Sequence, residues 1–132
     1  MRNAAWHASL WVTMAAAFVG ITTPAQAIEL DGAWNGSGSI VFGSGAKENA
    51  RCRVQYSKRN NTSYDASATC ATASARVSQT AVLRKTGENS YSGTFFNSEY
   101  NLSGTISVVV RGNAQSVQLS SSSASASLRL SK

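Results

Sequence analysis

The stretch Arg51–Cys70, RCRVQYSKRNNTSYDASATC, holds both cysteines of the chain and reads as two strands around a polar turn. Cys52, Val54 and Tyr56 alternate with Arg51, Arg53 and Gln55, and Tyr64, Ala66, Ala68 and Cys70 make a second apolar face. This period of two is that of a half-buried strand. Asn60-Asn61-Thr62 is expected to form a three-residue loop, because Asn tolerates the left-handed backbone such loops need. The hairpin then sets Cys52 directly opposite Cys70, Val54 opposite Ala68 and Tyr56 opposite Ala66, large against small. Opposed Cα atoms lie ~4.5–5.5 Å apart, within the reach of a disulfide. A redox pair would need C-x-x-C or a lone activated thiol, and a metal site would need more ligands than two thiolates. The Cys52–Cys70 pair is therefore expected to be a structural clip.

The same period continues on both sides. GAWNGSGSIVF places Trp34, Ile40 and Phe42 on a face with Gly36 and Gly38. RVSQTAVLRK aligns Val77, Ala81 and Leu83; YSGTFF aligns Tyr91, Gly93 and Phe95; and LSGTISVVVR aligns Leu102, Gly104, Ile106, Val108 and Val110. SVQLS and ASASLRL complete the series with Val117 and Leu119, then Ala124, Ala126, Leu128 and Leu130. Turn signals separate these runs at GSGAK, RNNTS, TAS, TGEN, NSEYN, GN and SSS. Arg111-Gly112-Asn113-Ala114 is predicted as a two-residue hairpin that sets Val108 against Val117 and Ile106 against Leu119. About eight strands joined by short loops predict an all-β, antiparallel up-and-down barrel, a meander carrying one cross-strand disulfide.

The first 27 residues read as a cleaved secretory signal peptide: Arg2 is a positive n-region, Leu10–Ile21 an apolar core, and Ala25-Gln26-Ala27 an A-x-A cleavage site. Residues 28–132 would then form a single domain, periplasmic or secreted, in an oxidising compartment. Removing the leader leaves eleven Lys and Arg against six Asp and Glu, and takes away His7, the only histidine. Without an imidazole, Ser-His and Cys-His nucleophile pairs and the usual histidine-containing zinc sites are excluded. The six acids fall mainly in turns and at strand ends, a poor basis for paired carboxylate catalysis, and no phosphate-cradling loop opens a helix. The expectation is a protein that is not an enzyme and takes no cofactor and no metal.

Arg51, Arg53, Lys58, Arg59, Arg76, Arg84 and Lys85 make a basic surface, which would attract anionic envelope components such as acidic polysaccharide or lipid phosphates. Nucleic acid is not expected, since most aromatics share the apolar parity and the leader carries the chain away from it.

Gly32-Ala33-Trp34 opens the first strand and Arg129 lies in the last. This resembles the G-x-W start of lipocalin-like and avidin-like barrels, the calycins. That resemblance implies a ligand-binding barrel whose tryptophan packs near a closed end beneath a late-strand arginine. Alternation puts Arg129 on the face opposite Leu128 and Leu130, which departs from that pattern. The pattern RCRV…C with SGTF…SGTI is also similar to small exported bacterial proteins, which implies the same compartment and barrel.

A barrel of this size encloses space for side chains or for one small ligand. If its mouth binds a small apolar molecule, the candidate contacts are Trp34, Tyr56, Tyr64, Tyr91 and Phe95. The small residues on the apolar face, among them Gly36, Gly38, Ala66, Ala68, Gly93, Gly104, Ala124 and Ala126, serve either a pocket or interdigitated packing. Two alternatives stand beside the binding module. A protease inhibitor or protein-interaction module would present the loops around Lys47, Lys58-Arg59 and Glu88. A small outer-membrane barrel would turn the apolar face outward, since parity alone does not say which face is inside.

Overall fold

The computed structural model describes residues 29–132, so the predicted leader lies outside the described residues. Eight strands follow one another: β1 (Gly32–Phe42), β2 (Lys47–Asn60), β3 (Ser63–Ala71), β4 (Arg76–Lys85), β5 (Ser90–Asn97), β6 (Leu102–Arg111), β7 (Ala114–Ser120) and β8 (Ala124–Ser131). Each pairs antiparallel with the next, and β1 closes the circle by pairing with β8. Closure leaves no edge strand to be satisfied elsewhere.

The register of the central hairpin is the expected one: Cys52 faces Cys70, Val54 faces Ala68 and Tyr56 faces Ala66. The sulfurs are bonded, with Cα atoms 4.1 Å apart. Its turn is one residue tighter than the sequence suggested. Asn60 pairs with Ser63 around a two-residue turn, Asn61-Thr62, and Arg59 is the extra residue of a bulge. The Asn60 side chain makes the difference, because its Oδ1 accepts the Thr62 N–H at 3.0 Å and the Thr62 hydroxyl at 3.1 Å. The second expected hairpin also holds, with Val108 facing Val117 and Arg111 facing Ala114 across a turn that places Gly112 at φ 59°.

The apolar face points inward. Trp34, Leu83 and Val108 are fully enclosed, and Tyr56, Leu130, Val117 and Phe95 pack around them. Each such side chain contributes roughly 1.5–3 kcal/mol of hydrophobic stabilisation relative to exposure. The outer face carries Arg51, Arg53, Arg76 and Arg84 among Ser and Thr, with only scattered exposed apolar residues such as Val82 and Phe96. This is the reverse of the orientation a lipid-facing barrel requires. No described helix is long and apolar enough to cross a membrane.

Two of the small inward residues have a definite task. A Cβ at Gly36 would overlap the Arg129 carbonyl of β8, and one at Gly38 would overlap the carbonyl of Ser127. Glycine lets the β8 backbone lean over β1, which bends the wall where the barrel closes.

Candidate functional site: a cup at the open end

The large inward residues collect at one end of the barrel. The start of β1, the ends of β2, β4, β6 and β8, and the starts of β3, β5 and β7 share that end. Here Leu30 folds under the barrel and its carbonyl accepts the Trp34 Nε1–H at 2.8 Å. Lys132 holds its ammonium 5.6 Å from the centre of the Trp34 ring. The cation above the tryptophan is thus Lys132, whereas the calycin resemblance pointed to Arg129. Arg129 lies exposed on the outer face, as its alternation with Leu128 and Leu130 dictates.

Behind Trp34 the Tyr56 hydroxyl donates to Gln115 Oε1 at 2.6 Å, and both residues are buried. The Gln115 Nε2 has no partner among the described residues. Tyr64 and Tyr91 meet edge to face, with ring centres 5.5 Å apart. Burial pushes the phenols of all three tyrosines above their usual range, and for Tyr64 the neighbouring Tyr91, Glu29 and Asp31 add to the rise. This half of the barrel is full.

The opposite end is open. Inward positions there carry smaller or shorter groups, and they leave a cup of about 390 Å³. Its apolar lining includes the Cys52–Cys70 bridge, Phe95, Leu119 and Leu128 below, with Ile40, Val77, Leu102 and Ala126 on the walls. Phe42, Glu48, Ser74, Tyr100 and Ser123 lie towards the rim. A void of about 20 Å³ continues beneath the cup, between Val54, Ala66, Ile106 and Val117, down to Tyr56. Asn97, buried among the cup residues, accepts the backbone N–H groups of Glu99 and Tyr100 on its Oδ1 at 3.0 and 3.2 Å. It thereby fixes the turn that brings Tyr100 to the rim. Glu48 accepts the Ser74 hydroxyl on its two oxygens at 2.8 and 3.0 Å.

Of the five aromatic candidates, Phe95 alone lines the cup, while Trp34, Tyr56, Tyr64 and Tyr91 fill the closed half. Small inward residues serve both purposes weighed from sequence: Ala66 accommodates Tyr56, and Ala124 and Ala126 open the cup. Its other walls, and Glu48 and Tyr100, were not among the candidates. Their placement depends on depth along the barrel axis, which the alternation of side chains within a strand does not report.

All seven basic candidates are exposed, in two groups. Lys58, Arg59, Arg84 and Lys85 lie toward the closed end, where Arg59 forms a two-pronged ion pair with Asp65. Arg51, Arg53 and Arg76 border one outer groove with Asn35, Ser37 and Thr69. Across that wall Arg129, Ser37, Arg51, Ala71 and Arg76 stand side by side on successive strands. Strand spacing separates the three arginines by roughly 10 Å each.

No family model matches the sequence, and comparison with curated proteins finds no match. Among solved structures the chain is similar to designed barrels. A redesigned barrel, mFAP1, bound to DFHBI aligns with TM-score 0.66 at 10% identity over 78% of this chain and 94% of that one. EF1p2_mFAP2b bound to DFHBI gives 0.67 at 7% identity over 78% and 93%. A fluorescence-activating β-barrel designed de novo gives 0.60 at 15% identity over 77% and 92%. At these identities the likeness is one of fold: a small, closed, eight-stranded antiparallel barrel.

Proposed function

We propose that this protein is an exported binding module that takes one small, largely apolar molecule into the open cup. The observation that carries the reading is the division of the barrel into a packed half and a half left open over an apolar floor. A cup of about 390 Å³ falls within the ordinary range for small-molecule sites, which are mostly apolar with a few placed polar groups. Designed barrels of this fold carry DFHBI, which supports the capacity of such a wall to hold a small ligand. The A-x-A leader and the disulfide support export. Glu48 and Tyr100 are the titratable side chains of the cup, a sparse set for chemistry, so we read the site as binding without catalysis. Inhibition of a protease has less support, because Lys58 and Arg59 flank a two-residue turn and Arg59 is already paired with Asp65.

The test is titration with a neutral apolar dye, N-phenyl-1-naphthylamine, whose emission rises on leaving water. We expect saturable 1:1 binding, lost in Ala126→Trp, which fills the cup from its wall. Trp34 is a poor reporter, since it sits at the other end. No emission change with the wild type ends this reading.

A second reading is favoured by the arginine row. Arg129, Arg51 and Arg76, with Arg53 beside them, suit an extended polyanion of the envelope laid across the outer wall. Binding to an acidic polysaccharide at low salt, weakened by Arg51→Ser and Arg76→Ser together and by added salt, would support it; retention unchanged by the double variant would exclude it.

A further inference from the structure

We propose that the cup selects ligands bearing a positive charge, and that Glu48 supplies the counter-charge at its rim. The inference rests on the cup being the ligand site and adds the chemical class of what it holds.

Glu48 belongs to the inward series of β2, followed at alternate positions by Ala50, Cys52, Val54 and Tyr56, and faces Ile40 of β1. It is half-buried and is the one charged side chain among those lining the cup. An ionised carboxylate, its one charge shared over two oxygens, accepts about four hydrogen bonds. Here Ser74 supplies one hydroxyl, shared between them. No cation pairs with it: among the described residues the ion pair is Arg59–Asp65, at the other end of the hairpin.

The absence of a partner is notable because cations are close in sequence. Lys47 precedes Glu48 and Arg76 follows Ser74 by two positions, yet strand alternation leaves both exposed on the outside. The chain carries twice as many Lys and Arg as Asp and Glu, and still presents a lone anion to an apolar cup. A partly desolvated carboxylate gains most from a cation that arrives with its own apolar body, since both then lose water together. The occupant the geometry fits is a cationic amphiphile: an aliphatic or aromatic body on Phe95, Leu119 and Leu128, with an amine or guanidinium near Glu48.

The experiment compares n-octylammonium, n-octanol and n-octyl sulfate as competitors for bound N-phenyl-1-naphthylamine on the wild type, Glu48→Gln and Glu48→Lys. Glutamine keeps an acceptor for Ser74, so a purely structural role at the β3–β4 turn would leave the charge preference unmoved. We expect the wild type to prefer octylammonium over octanol by about tenfold. Glu48→Gln should erase that preference, and Glu48→Lys should turn it toward octyl sulfate. Equal affinity of the wild type for octylammonium and octanol, or a preference that survives in Glu48→Gln, overturns the inference and leaves the apolar cup standing. Failure of the dye and all three competitors to bind overturns both.

Discussion

Lys132 places its ammonium 5.6 Å from the centre of the Trp34 ring while donating to the Asp31 carbonyl at 2.6 Å and the Glu29 carbonyl at 3.1 Å. One side chain after β8 thus ties the segment before β1 to the tryptophan that seals the barrel. Lys132→Ala is expected to lower stability by about 1 kcal/mol, the scale of an exposed cation–aromatic contact. Urea unfolding measures it, and an unchanged midpoint would show that the contact contributes nothing.

The Cys52–Cys70 bridge joins residues 18 positions apart, which should stabilise the fold by roughly 3 kcal/mol through restriction of the unfolded chain. Because the bridge also lines the cup, its loss should weaken dye binding as well as stability. Paired urea and dye titrations with and without reductant test both effects. Two free thiols in the mass of the oxidised, purified protein would remove the bridge altogether.

Tyr56 and Gln115 are linked by a buried hydrogen bond of 2.6 Å, and the amide already has an unpartnered Nε2. Tyr56→Phe strips the amide of its remaining side-chain partner, and Gln115→Leu leaves a buried phenol without an acceptor. Each should cost about 1–3 kcal/mol, the penalty of an orphaned buried polar group. The double variant removes both orphans and should be more stable than the sum of the single losses predicts. Strict additivity in thermal melts would mean the pair is not coupled.

Burial holds the Tyr56, Tyr64 and Tyr91 phenols above their usual pKa in the folded state. The folded protein therefore keeps protons that the unfolded chain releases near pH ~10. Stability should be level below that value and fall progressively above it, because each deprotonation then favours the unfolded state. Unfolding midpoints measured between about pH 8 and 12 should show this fall, and Tyr56→Phe should make it shallower. A flat profile through that range would contradict the burial.

Gly38 lies beneath the Ser127 carbonyl of β8, where a methyl group has no room. Gly38→Ala must push the closing strand pair apart and should cost at least about 2 kcal/mol. A variant as stable as the wild type would mean that the β1–β8 seam is not held this closely.

The strand pattern, the register of two hairpins and the partnership of the cysteines were all legible in the chain. Each follows from a local rule: alternation fixes which residues share a face, and turn chemistry fixes which residues oppose one another. Where a local rule had a competitor the outcome moved, as when the Asn60 side chain captured Thr62 and tightened the turn by one residue. The aromatic residues proposed as ligand contacts show the limit. Trp34, Tyr56, Tyr64 and Tyr91 have the same parity as Phe95, and parity does not report depth along the barrel axis.

By itself, then, the sequence determined a wall of eight alternating strands with one face apolar, because a period of two is a property of the extended backbone. Only the closed tertiary structure decided that this face looks inward, and that bulky side chains gather at one end while an apolar hollow with a single carboxylate stays open at the other. Those outcomes depend on β1 meeting β8 and on how eight antiparallel strands stack their residues in space, relations between residues about a hundred positions apart that no local pattern encodes.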